Sequence, residues 1–539
     1  MKKAVKISIL LTTVILAIGL LAGCGSKKKD ELPEGTVTLT VGIPQNSNVT
    51  DYDNNALTNI LKEKMKEAGM DVEIEFKFFS SSPGEYKKQL TLMCGAQEKL
   101  PDVLLGFDLG NYSMNQYGED GYFIDLTEYI EDYGENYTKA LEGLDDEIRD
   151  YVKERAVNGK DGAIYGMPRV ICQASDDLQS LLYINKAWLD KLGLSMPTTI
   201  DELRTVLQAF KTKDPNGNGK ADEIPMLGDA MIQQYIINAF TYYDSGRFSV
   251  ENGKVYDPVI TDEYRQALIF GNQLVKDGLY SSLSFTIKST TEYRSLISPV
   301  DEPCKVGIFA GHPSARTNAN TDVLKDFVAL PALADATGKG GYTVVNERPI
   351  AWTGFITKDC EYPAVAMRFL DLFYTDDVIT VQRHGEEGVD WENVDGKNCF
   401  GTKSHVKVIN TEAYTKGNST WCYNVLGIMS HYNYAGVMQE GEGRAADMSR
   451  LLSESWQIQK EGTPAKERAI YLTYTTDEYE VQEEYATPVS TFVNESMTNF
   501  FSGQKDPNND ADWNEYLQNL ETTGRSKLLK VAQDAYGRK

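Results

Sequence analysis

The segment Val-Thr-Leu-Thr-Val-Gly-Ile at residues 37–43 alternates apolar side chains with Thr and Gly, the pattern of a half-buried β-strand. Residues 55–68 place apolar side chains on one helical face and are followed by a glycine, which favours a helix end. A second alternating strand follows at 72–78 and a buried strand at 101–106, with a short helix predicted at 89–98 between them. This β-α-β-α-β order predicts a parallel, three-layer α/β lobe.

The loop after the third predicted strand is a candidate ligand site. Ligands of parallel α/β sheets lie beyond the carboxyl ends of the strands, where such loops begin. The loop at 107–112 contains Asp108 and Asn111, and both side chains can hydrogen-bond a polar ligand. We therefore predict ligand contacts from these two residues. The alternative is that the segment is a plain connecting loop.

The N-terminus carries the features of an export signal. Lysines precede a long apolar run, and small residues then lead to Cys24. The segment Leu-Ala-Gly-Cys at 21–24 resembles the bacterial lipobox, in which the cysteine is acylated and becomes the mature N-terminus. We predict a signal peptide at 1–23, an acyl chain such as palmitate on Cys24 and a flexible tether at 24–35. The alternative is an ordinary signal peptide with a coincidental cysteine.

Length and charge narrow the class of protein. The 539 residues are enough for two or more domain-sized cores, and the formal net charge of −25 argues against nucleic acid as a partner. No apolar run after the signal reaches the ~20 residues needed to span a bilayer, so we expect a protein anchored to a membrane rather than crossing it. Of the 7 cysteines, those after Cys24 are scattered without a Cys-x-x-Cys pair. Their spacing indicates no zinc site and leaves their pairing open.

The helix with the strongest sequence signal in the chain begins at a capping box. The sequence Thr-Ile-Asp-Glu at 199–202 precedes apolar side chains at 203–210 with helical spacing, so we predict a helix from 199 to about 213. Further predicted elements are strands at 181–184, 305–309, 326–331 and 350–356 and helices at 185–192, 363–374 and 511–535.

The loop at 214–225, Asp-Pro-Asn-Gly-Asn-Gly-Lys-Ala-Asp-Glu-Ile-Pro, follows that helix. Its oxygen donors alternate around two glycines and suit a hard cation, calcium before magnesium. By EF-hand spacing the donors at positions 1, 3, 5, 7 and 9 are Asp214, Asn216, Asn218, the carbonyl of Lys220, and Asp222. Position 12 is Pro225 rather than a bidentate Glu, and Glu223 comes two residues early, so the loop is not an EF-hand. The alternative is an Asn-Gly-rich turn without metal.

Three blocks resemble the bacterial extracellular solute-binding proteins of ABC importers. They are the lipobox, LYINKAWLDKLGL at 182–194 with MPTTIDEL at 196–203, and ITKDC at 356–360 with PAVAMRFLD at 363–371. The stretch from Asp161 to Pro168 also looks like the family's segment before the first crossing between lobes. The subgroup most similar in appearance is the large lipoprotein type, which includes LipO-type and alginate-type oligosaccharide-binding proteins.

The resemblance implies a type II periplasmic-binding-protein-like α/β fold, with two lobes, an interlobe cleft and a hinge that closes on ligand. It implies lobe 1 at 36–170 and 354–410, and lobe 2 at 171–353 and 411–539, with about three crossings between them. It also implies a structural Ca²⁺ in the loop, with Asp222 and Glu223 completing the shell of ligands.

Sugar binders use aromatic rings for the flat C–H faces of a sugar, and carboxylates, amides or arginine for its hydroxyls. We choose cleft residues by their place next to predicted crossings and strand ends. Besides Asp108 and Asn111, they are Trp352, Trp421, Tyr183, Arg169, Asp229, His312 and Glu386. For each, the alternative is an ordinary core or surface residue. Trp188 and Trp513 fall on predicted helix faces and are assigned to the core.

These observations predict a lipid-anchored monomer on the extracellular face of the cytoplasmic membrane. It would capture an oligosaccharide and deliver it to the transmembrane subunits of an ABC permease. The alternatives are the same scaffold with a peptide or other small solute, a secreted carbohydrate-active enzyme, and an interaction lipoprotein without a small ligand. The acidic cluster at 386–392 is the feature that favours the enzyme. The solute-binding family that the chain resembles has a similar Glu-Gly turn at this point and is not catalytic. The chain also lacks common catalytic motifs, so we expect that it is not an enzyme.

Overall fold

The computed structural model describes residues 35–539 except 172–180, 245–247, 288, 336, 345–349, 411–412, 414–417, 422–424, 463–468 and 470. The predicted signal peptide, Cys24 and most of the tether lie outside these residues. The strands are β1 (Val37–Pro44), β2 (Val72–Phe79), β3 (Val103–Leu105), β4 (Met167–Val170), β5 (Leu182–Asn185), β6 (Ile224–Leu227), β7 (Ser249–Glu251), β8 (Lys254–Tyr256), β9 (Val306–Ala310), β10 (Phe327–Ala329), β11 (Ile350–Ile356), β12 (Trp391–Lys397), β13 (Lys403–Val408) and β14 (Gly427–Ile428).

The α-helices are α1 (Ala56–Glu67), α2 (Pro83–Gly95), α3 (Gly110–Glu119), α4 (Thr127–Tyr133), α5 (Glu135–Glu142), α6 (Asp146–Ala156), α7 (Lys186–Leu192), α8 (Ile200–Thr212), α9 (Ala230–Ile237), α10 (Asp262–Lys276), α11 (Thr290–Ile297), α12 (Pro313–Arg316), α13 (Pro363–Asp371), α14 (Asp376–His384), α15 (His431–Tyr434), α16 (Arg444–Glu461), α17 (Thr476–Ser502), α18 (Asp510–Thr522) and α19 (Arg525–Arg538). Short 3₁₀ helices lie at Pro258–Ile260, Ser282–Phe285, Val323–Asp326 and Leu372–Tyr374. None of the helices within the described residues is both long and apolar enough to cross a membrane.

The first sheet has six strands in the order β14-β4-β11-β3-β1-β2. Strand β1 pairs in parallel with both β2 and β3, which confirms the predicted β-α-β-α-β unit. Strand β11 arrives from elsewhere in the chain and runs antiparallel to both of its neighbours, β3 and β4. In the first half of β1 the side chains alternate between buried and accessible, as the sequence pattern predicts, whereas the last four residues of the strand are all buried.

The second sheet has four strands in the order β10-β5-β9-β6. Strands β6 and β9 are parallel, whereas β5 runs antiparallel to both β9 and β10. Two further antiparallel ribbons, β7-β8 and β12-β13, stand outside these sheets.

Each sheet has its own hydrophobic core, so the chain forms two lobes. The first core draws on 37–170, 350–378 and 421–428, and the second mainly on 182–333 and 489–528. The chain passes between the lobes after β4, after β10 and after β14. This confirms the two-lobed α/β fold.

The boundaries predicted for the lobes need correction in two places. The predicted boundary at 353/354 falls inside strand β11, but the whole strand lies in the first sheet. There Ile350 pairs with Val170, and Ile356 pairs with Val103. Residues from 411 onward were assigned to lobe 2, but Trp421 and β14 pack in the first core. The strand pairing of β11 depends on distant residues, and sequence spacing does not show where a returning segment packs.

Helix α8 begins at the predicted capping box. The hydroxyl of Thr199 accepts the backbone N–H of Glu202 at 3.3 Å, and the Glu202 carboxylate accepts the N–H of Thr199 at 3.2 Å. The predicted C-terminal helix is instead two helices, α18 and α19. They are separated at Gly524, whose φ of +106° lies in the region that favours glycine.

Candidate functional site

The carboxyl ends of strands from both sheets meet at the crossings between the lobes. Strand β4 ends at Val170, beside the start of β11, and the chain then enters β5 at Leu182, which pairs with Ala310 at the end of β9. The N–H of Gly311 donates to the carbonyl of Leu181 at 2.8 Å, so the end of β9 lies against this crossing. A crevice between strand ends is where α/β sheets place their ligands.

In the second lobe, Asp229 and His312 follow the parallel strands β6 and β9, near the first crossing. Asp229 follows β6, accepts the N–H of Met231 at 3.2 Å as the N-cap of α9, and forms an ion pair with Arg316. His312 follows β9, and its Nδ1 lies 2.7 Å from the hydroxyl of Ser314. Both side chains are partly accessible.

In the first lobe, Asp108 and Asn111 follow the end of β3. Asp108 is exposed, and its backbone N–H donates to the hydroxyl of Tyr86 at 3.2 Å. Asn111 donates its amide to the carbonyl of Arg155 at 2.9 Å, while its Oδ1 is buried and has no hydrogen-bond partner among the described residues. Arg169 lies in β4, half-buried between Ala351 and Gly427 of the adjacent strands. The structure thus places Asp108 at the end of β3, Asn111 on α3, and Arg169 next to the first crossing.

The three aromatic residues predicted to line the cleft are buried, so these predictions are wrong. Trp421 is fully buried among aromatic rings of the first core, and its Nε1 donates to Thr58 Oγ1 at 3.0 Å. Trp352 is buried in β11 opposite Pro168. Tyr183 is fully buried in the second lobe, with its hydroxyl 3.4 Å from that of Ser455. A ring that is covered on both sides offers no face to a sugar.

An exposed ring, that of Phe78, occurs instead at the end of β2. Phe78 is 44% exposed, and its ring centroid lies 6.0 Å from Phe76 and 4.9 Å from Tyr52. The sequence pattern indicated that Phe78 shares the buried face of the strand. Strand β2 is the edge strand of the sheet, and its buried residues Val72 and Ile74 lie towards its start, whereas Phe78 lies near its end. The edge position depends on the order of strands, which no local pattern specifies.

Glu386 lies outside the crevice, in a separate groove of the first lobe. The groove has a volume of about 760 Å³ and is lined by residues of α1, α14, the ribbon β12-β13 and nearby loops. The N–H of Glu386 donates to Asp390 Oδ2 at 2.9 Å, and Asn410 donates to Asp390 Oδ1 at 2.7 Å. The carboxylate of Asp390 therefore organises the 386–392 turn.

The loop at 214–223 is folded around its own side-chain oxygens. Asp214 accepts the N–H of Asn218 at 3.1 Å and that of Gly219 at 3.1 Å. Asn218 Oδ1 accepts the N–H of Lys220 at 2.8 Å, and Asp222 Oδ1 accepts the amides of Asn216 and Asn218 at 3.1 and 3.0 Å. These bonds form a tight turn with oxygen atoms at its centre.

The side chain of Glu223 indicates whether the residues of this loop fit a metal ion. Its Oε1 is buried and has no hydrogen-bond partner within the described residues. Burial, together with the charges of Asp214 and Asp222, raises the pKa of Glu223. A cation would compensate these carboxylates, so the oxygen-only donor set fits calcium. In the described part of the chain, no three acidic, His or Cys side chains are already gathered as a metal-ligand group.

His384 ends helix α14 and makes stability depend on pH. Burial, and then the charge of Arg383, lowers its pKa to about 3, against about 6.5 in an unfolded chain. The unfolded chain therefore binds a proton that the folded chain excludes, and stability is lost as pH falls from about 6.5 towards 3. We expect this histidine to reduce the free energy of unfolding by about 2 kcal/mol between pH 7 and pH 5.

Urea unfolding of the wild type and of His384→Gln at the two pH values checks this expectation. The substitution should reduce the loss of stability between pH 7 and pH 5 by that amount, because other titrating groups are shared by both proteins. An equal pH dependence in the two proteins would contradict it.

Two lobes, each with a sheet whose strand ends face a shared crevice, define a two-lobed solute-binding protein. The sequence profile described as "Bacterial extracellular solute-binding protein" matches residues 49–379, and the chain belongs to this family.

Among curated relatives, the fructooligosaccharide ABC transporter substrate-binding protein FusA of Streptococcus pneumoniae is 31% identical over 354 residues. That alignment covers 62% of this chain and 61% of FusA. Lipoprotein LipO of Bacillus subtilis is 35% identical over 164 residues, 30% of each chain. The polygalacturonan/rhamnogalacturonan-binding protein YtcQ of B. subtilis is 24% identical, over 74% of this chain and 77% of YtcQ.

Solved structures show the same fold at lower identity. An extracellular solute-binding protein from Bifidobacterium longum subsp. infantis superposes with a TM-score of 0.72 at 20% identity, covering 94% of this chain and 99% of that one. An EF-hand mutant of S. pneumoniae FusA in complex with fructo-nystose gives a TM-score of 0.68 at 20% identity, covering 93% and 99%. The alginate-binding protein AlgQ2 without calcium ion gives 0.61 at 21% identity, covering 93% and 98%.

Proposed function

We propose that the chain is the solute receptor of an ABC importer and that it captures an oligosaccharide in the crevice between its lobes. The observation that carries this proposal is the convergence of strand ends from both sheets on one crevice with polar rims. Family membership supports it, as do relatives that are named for fructooligosaccharide and for polygalacturonan/rhamnogalacturonan. The permease of such an importer is the partner that receives the solute.

The division into two lobes explains how the protein would capture a sugar. A sugar held by one lobe alone leaves half of its hydroxyls in water, whereas closure adds the groups of the other lobe. Ligand therefore binds the closed state more tightly and shifts the population towards it. Asp108 on the first lobe and Asp229 on the second are carboxylates suited to hydroxyl groups, and Phe78 offers a ring for a C–H face.

A thermal-shift panel of oligosaccharides, peptides and amino acids tests the proposal. We expect at least one oligosaccharide to raise Tm in a concentration-dependent manner, because it binds only the folded chain. Small-angle scattering with that ligand should show a more compact protein. A shift with peptides alone would contradict the sugar, and turnover of the bound glycan would favour the carbohydrate-active enzyme instead.

We also propose that the loop at 214–223 binds a structural Ca²⁺. The buried Oε1 of Glu223 and the oxygen-only donor set support this, and the solved structures include one described as an EF-hand mutant and one described as being without calcium ion. The residues that would hold the ion are Asp214, Asn216, Asn218, Asp222 and Glu223, with the carbonyl of Lys220. The ion would fix the turn between α8 and β6 and take no part in chemistry.

Removal of calcium should destabilise the second lobe. We expect Ca²⁺ at a hundredfold excess over Kd to stabilise the protein by about 2.7 kcal/mol, with Kd on the order of 10⁻⁴–10⁻³ M. Melting curves in Ca²⁺ and in chelator would measure this. Asp214→Ala should abolish the difference, whereas Asp190→Ala, an exposed aspartate on α7 of the same lobe, should keep it. Identical curves in Ca²⁺ and chelator would refute the site.

We propose that Cys24 carries the lipid that holds the receptor at the extracellular face of the membrane. The lipobox-like sequence supports this, as does the related protein LipO, named a lipoprotein. We expect Cys24→Ser to leave the protein unprocessed or in the medium, measured by fractionation of the producing cells. Cys304→Ser is the matched control and should remain in the membrane fraction. Membrane attachment of Cys24→Ser equal to wild type would contradict the anchor.

A further inference from the structure

The C-terminal part of the second lobe touches helix α6 of the first lobe, at a place where the chain does not cross between the lobes. Helix α6 packs in the first core through Ile148, Val152 and Ala156, whereas α17 and α19 pack in the second. A cavity of about 440 Å³ lies between α6, the segment 471–475 and the end of α19. The chain crossings are therefore not the only contacts that join the two lobes.

Arg155 on α6 makes a buried contact across this seam. Its guanidinium stands 4.3 Å from the ring centroid of Tyr479 on α17, and 5.8 Å from that of Tyr151 on its own helix. Only 8% of Arg155 is exposed. A guanidinium is attracted more strongly to an aromatic ring when water is excluded from both. A cation of the first lobe is thus held by a ring of the second.

An ion pair joins the lobes at the same seam. Lys539, which follows α19, donates to Glu147 Oε1 at 2.7 Å. Glu147 and Glu154 on α6 line the cavity together with Arg538 and Lys539. Arg538 also pairs with Glu478 of its own lobe at 2.9 Å. Carboxylates of the first lobe and cations of the second therefore share one cavity, and separation of the lobes here would lose their attraction.

The segment before α17 packs on both lobes. Tyr471 is buried in the first core, and its ring centroid lies 5.1 Å from that of Tyr151. The next residue, Leu472, packs with α19 and the ribbon β7-β8. The φ of Tyr471 is +50°, in the left-handed region that residues other than glycine seldom adopt. Two successive side chains are therefore fixed to different lobes.

We propose that these contacts form an interlobe latch, which holds the two lobes in the arrangement of this structure before a solute binds. The latch consists of Glu147 and Arg155 on the first lobe with Tyr471, Tyr479 and Lys539 from the C-terminal part of the chain. No chain crossing lies at this seam, so a rotation of the lobes would part Arg155 from Tyr479 and Lys539 from Glu147. The latch therefore sets the populations of the lobe arrangements from which a solute selects. This inference goes beyond the proposed capture of a solute and is tested without one.

Single-molecule energy transfer on the full mature chain, without added solute, tests the latch. The dyes replace the side chains of Leu92 on α2 and Val300 before β9, which are 63% and 71% exposed and lie on different lobes. We expect one dominant distance in the wild type. Arg155→Gln should lower the population at that distance, relative to all others, by about 3- to 30-fold. Tyr479→Leu removes the ring from the other side and should act in the same way, which covers a failure of Arg155→Gln to fold.

The ion pair is tested by charge exchange. Its side chains are 40% and 47% exposed, so Glu147→Lys should lower the same population by about 2- to 5-fold, with a smaller effect at high salt. The double variant Glu147→Lys/Lys539→Glu should restore the wild-type distribution.

Arg149→Gln is the matched control, because Arg149 lies on α6 and pairs there with Asp146 at 2.8 Å and Asp150 at 3.4 Å. It should leave the distances unchanged, and thermal melting shows that each variant is folded. Wild-type distance distributions in Arg155→Gln, Tyr479→Leu and Glu147→Lys would overturn the latch. An equal change in Arg149→Gln would also overturn it, because the effect would then come from α6 itself and not from the contact between lobes.

Discussion

Trp421→Ala is expected to destabilise the first lobe by about 3–5 kcal/mol. The indole is fully buried, and its ring centroid lies 5.4 Å from Phe76, 6.0 Å from Phe373 and 6.3 Å from Tyr52. Its removal leaves a cavity between the edge strand β2, the helices above it and the segment that returns from the C-terminal half. The measurement is chemical denaturation followed by circular dichroism.

Two further variants separate the causes of this loss. Trp421→Phe keeps most of the buried ring and removes only the Nε1 donor to Thr58, so we expect a cost of about 1 kcal/mol plus a small packing term. Val389→Ala changes an exposed side chain of the first lobe and should stay within about 0.5 kcal/mol of wild type. A loss below 1 kcal/mol for Trp421→Ala would mean that the indole does not hold the lobe together.

The sequence predicts the architecture well because its strongest signals are local. The alternation in β1 and the capping box of α8 each depend on residues within a few positions of one another. The order of strands and helices then limits the topology, since parallel strands need a crossover helix. These signals are enough for an α/β lobe and for the family resemblance.

The aromatic residues could not be placed in the same way. Trp421 and Phe78 both look like ligand-binding or core residues in sequence, and the structure reverses the expected roles. Trp421 is buried by contact with Thr58, 363 positions away. Phe78 is exposed near the end of the edge strand β2, although Val72 and Ile74 at its start are buried. Periodicity shows which residues share a face of an element, but not what covers that face.

The oxygen donors of the loop at 214–223 are the opposite case, because they are contiguous and their spacing already indicates the chemistry.

Arg525→Met is expected to destabilise the second lobe by about 3–5 kcal/mol, because it leaves a buried carboxylate without its partner. Arg525, at the start of α19, donates through Nε to Asp257 Oδ2 at 2.8 Å, and both side chains are nearly inaccessible, at 11% and 3%. Asp257 also accepts the N–H of Val259 at 3.2 Å. Burial raises the pKa of Asp257 even though the charge of Arg525 lowers it, so the pair only partly offsets the cost of desolvation.

A double-mutant cycle isolates that cost. Asp257→Asn keeps an acceptor for Val259 and removes the charge, so the Arg525→Met/Asp257→Asn protein should recover most of the stability lost in Arg525→Met. The deficit of Arg525→Met relative to wild type should also shrink as pH falls, since the unpaired Asp257 takes up a proton more readily than the paired one. Urea unfolding at pH 7 and pH 5 measures both effects. If the double variant is as unstable as Arg525→Met, the loss comes from packing of the arginine side chain at the start of α19 and not from an uncompensated charge.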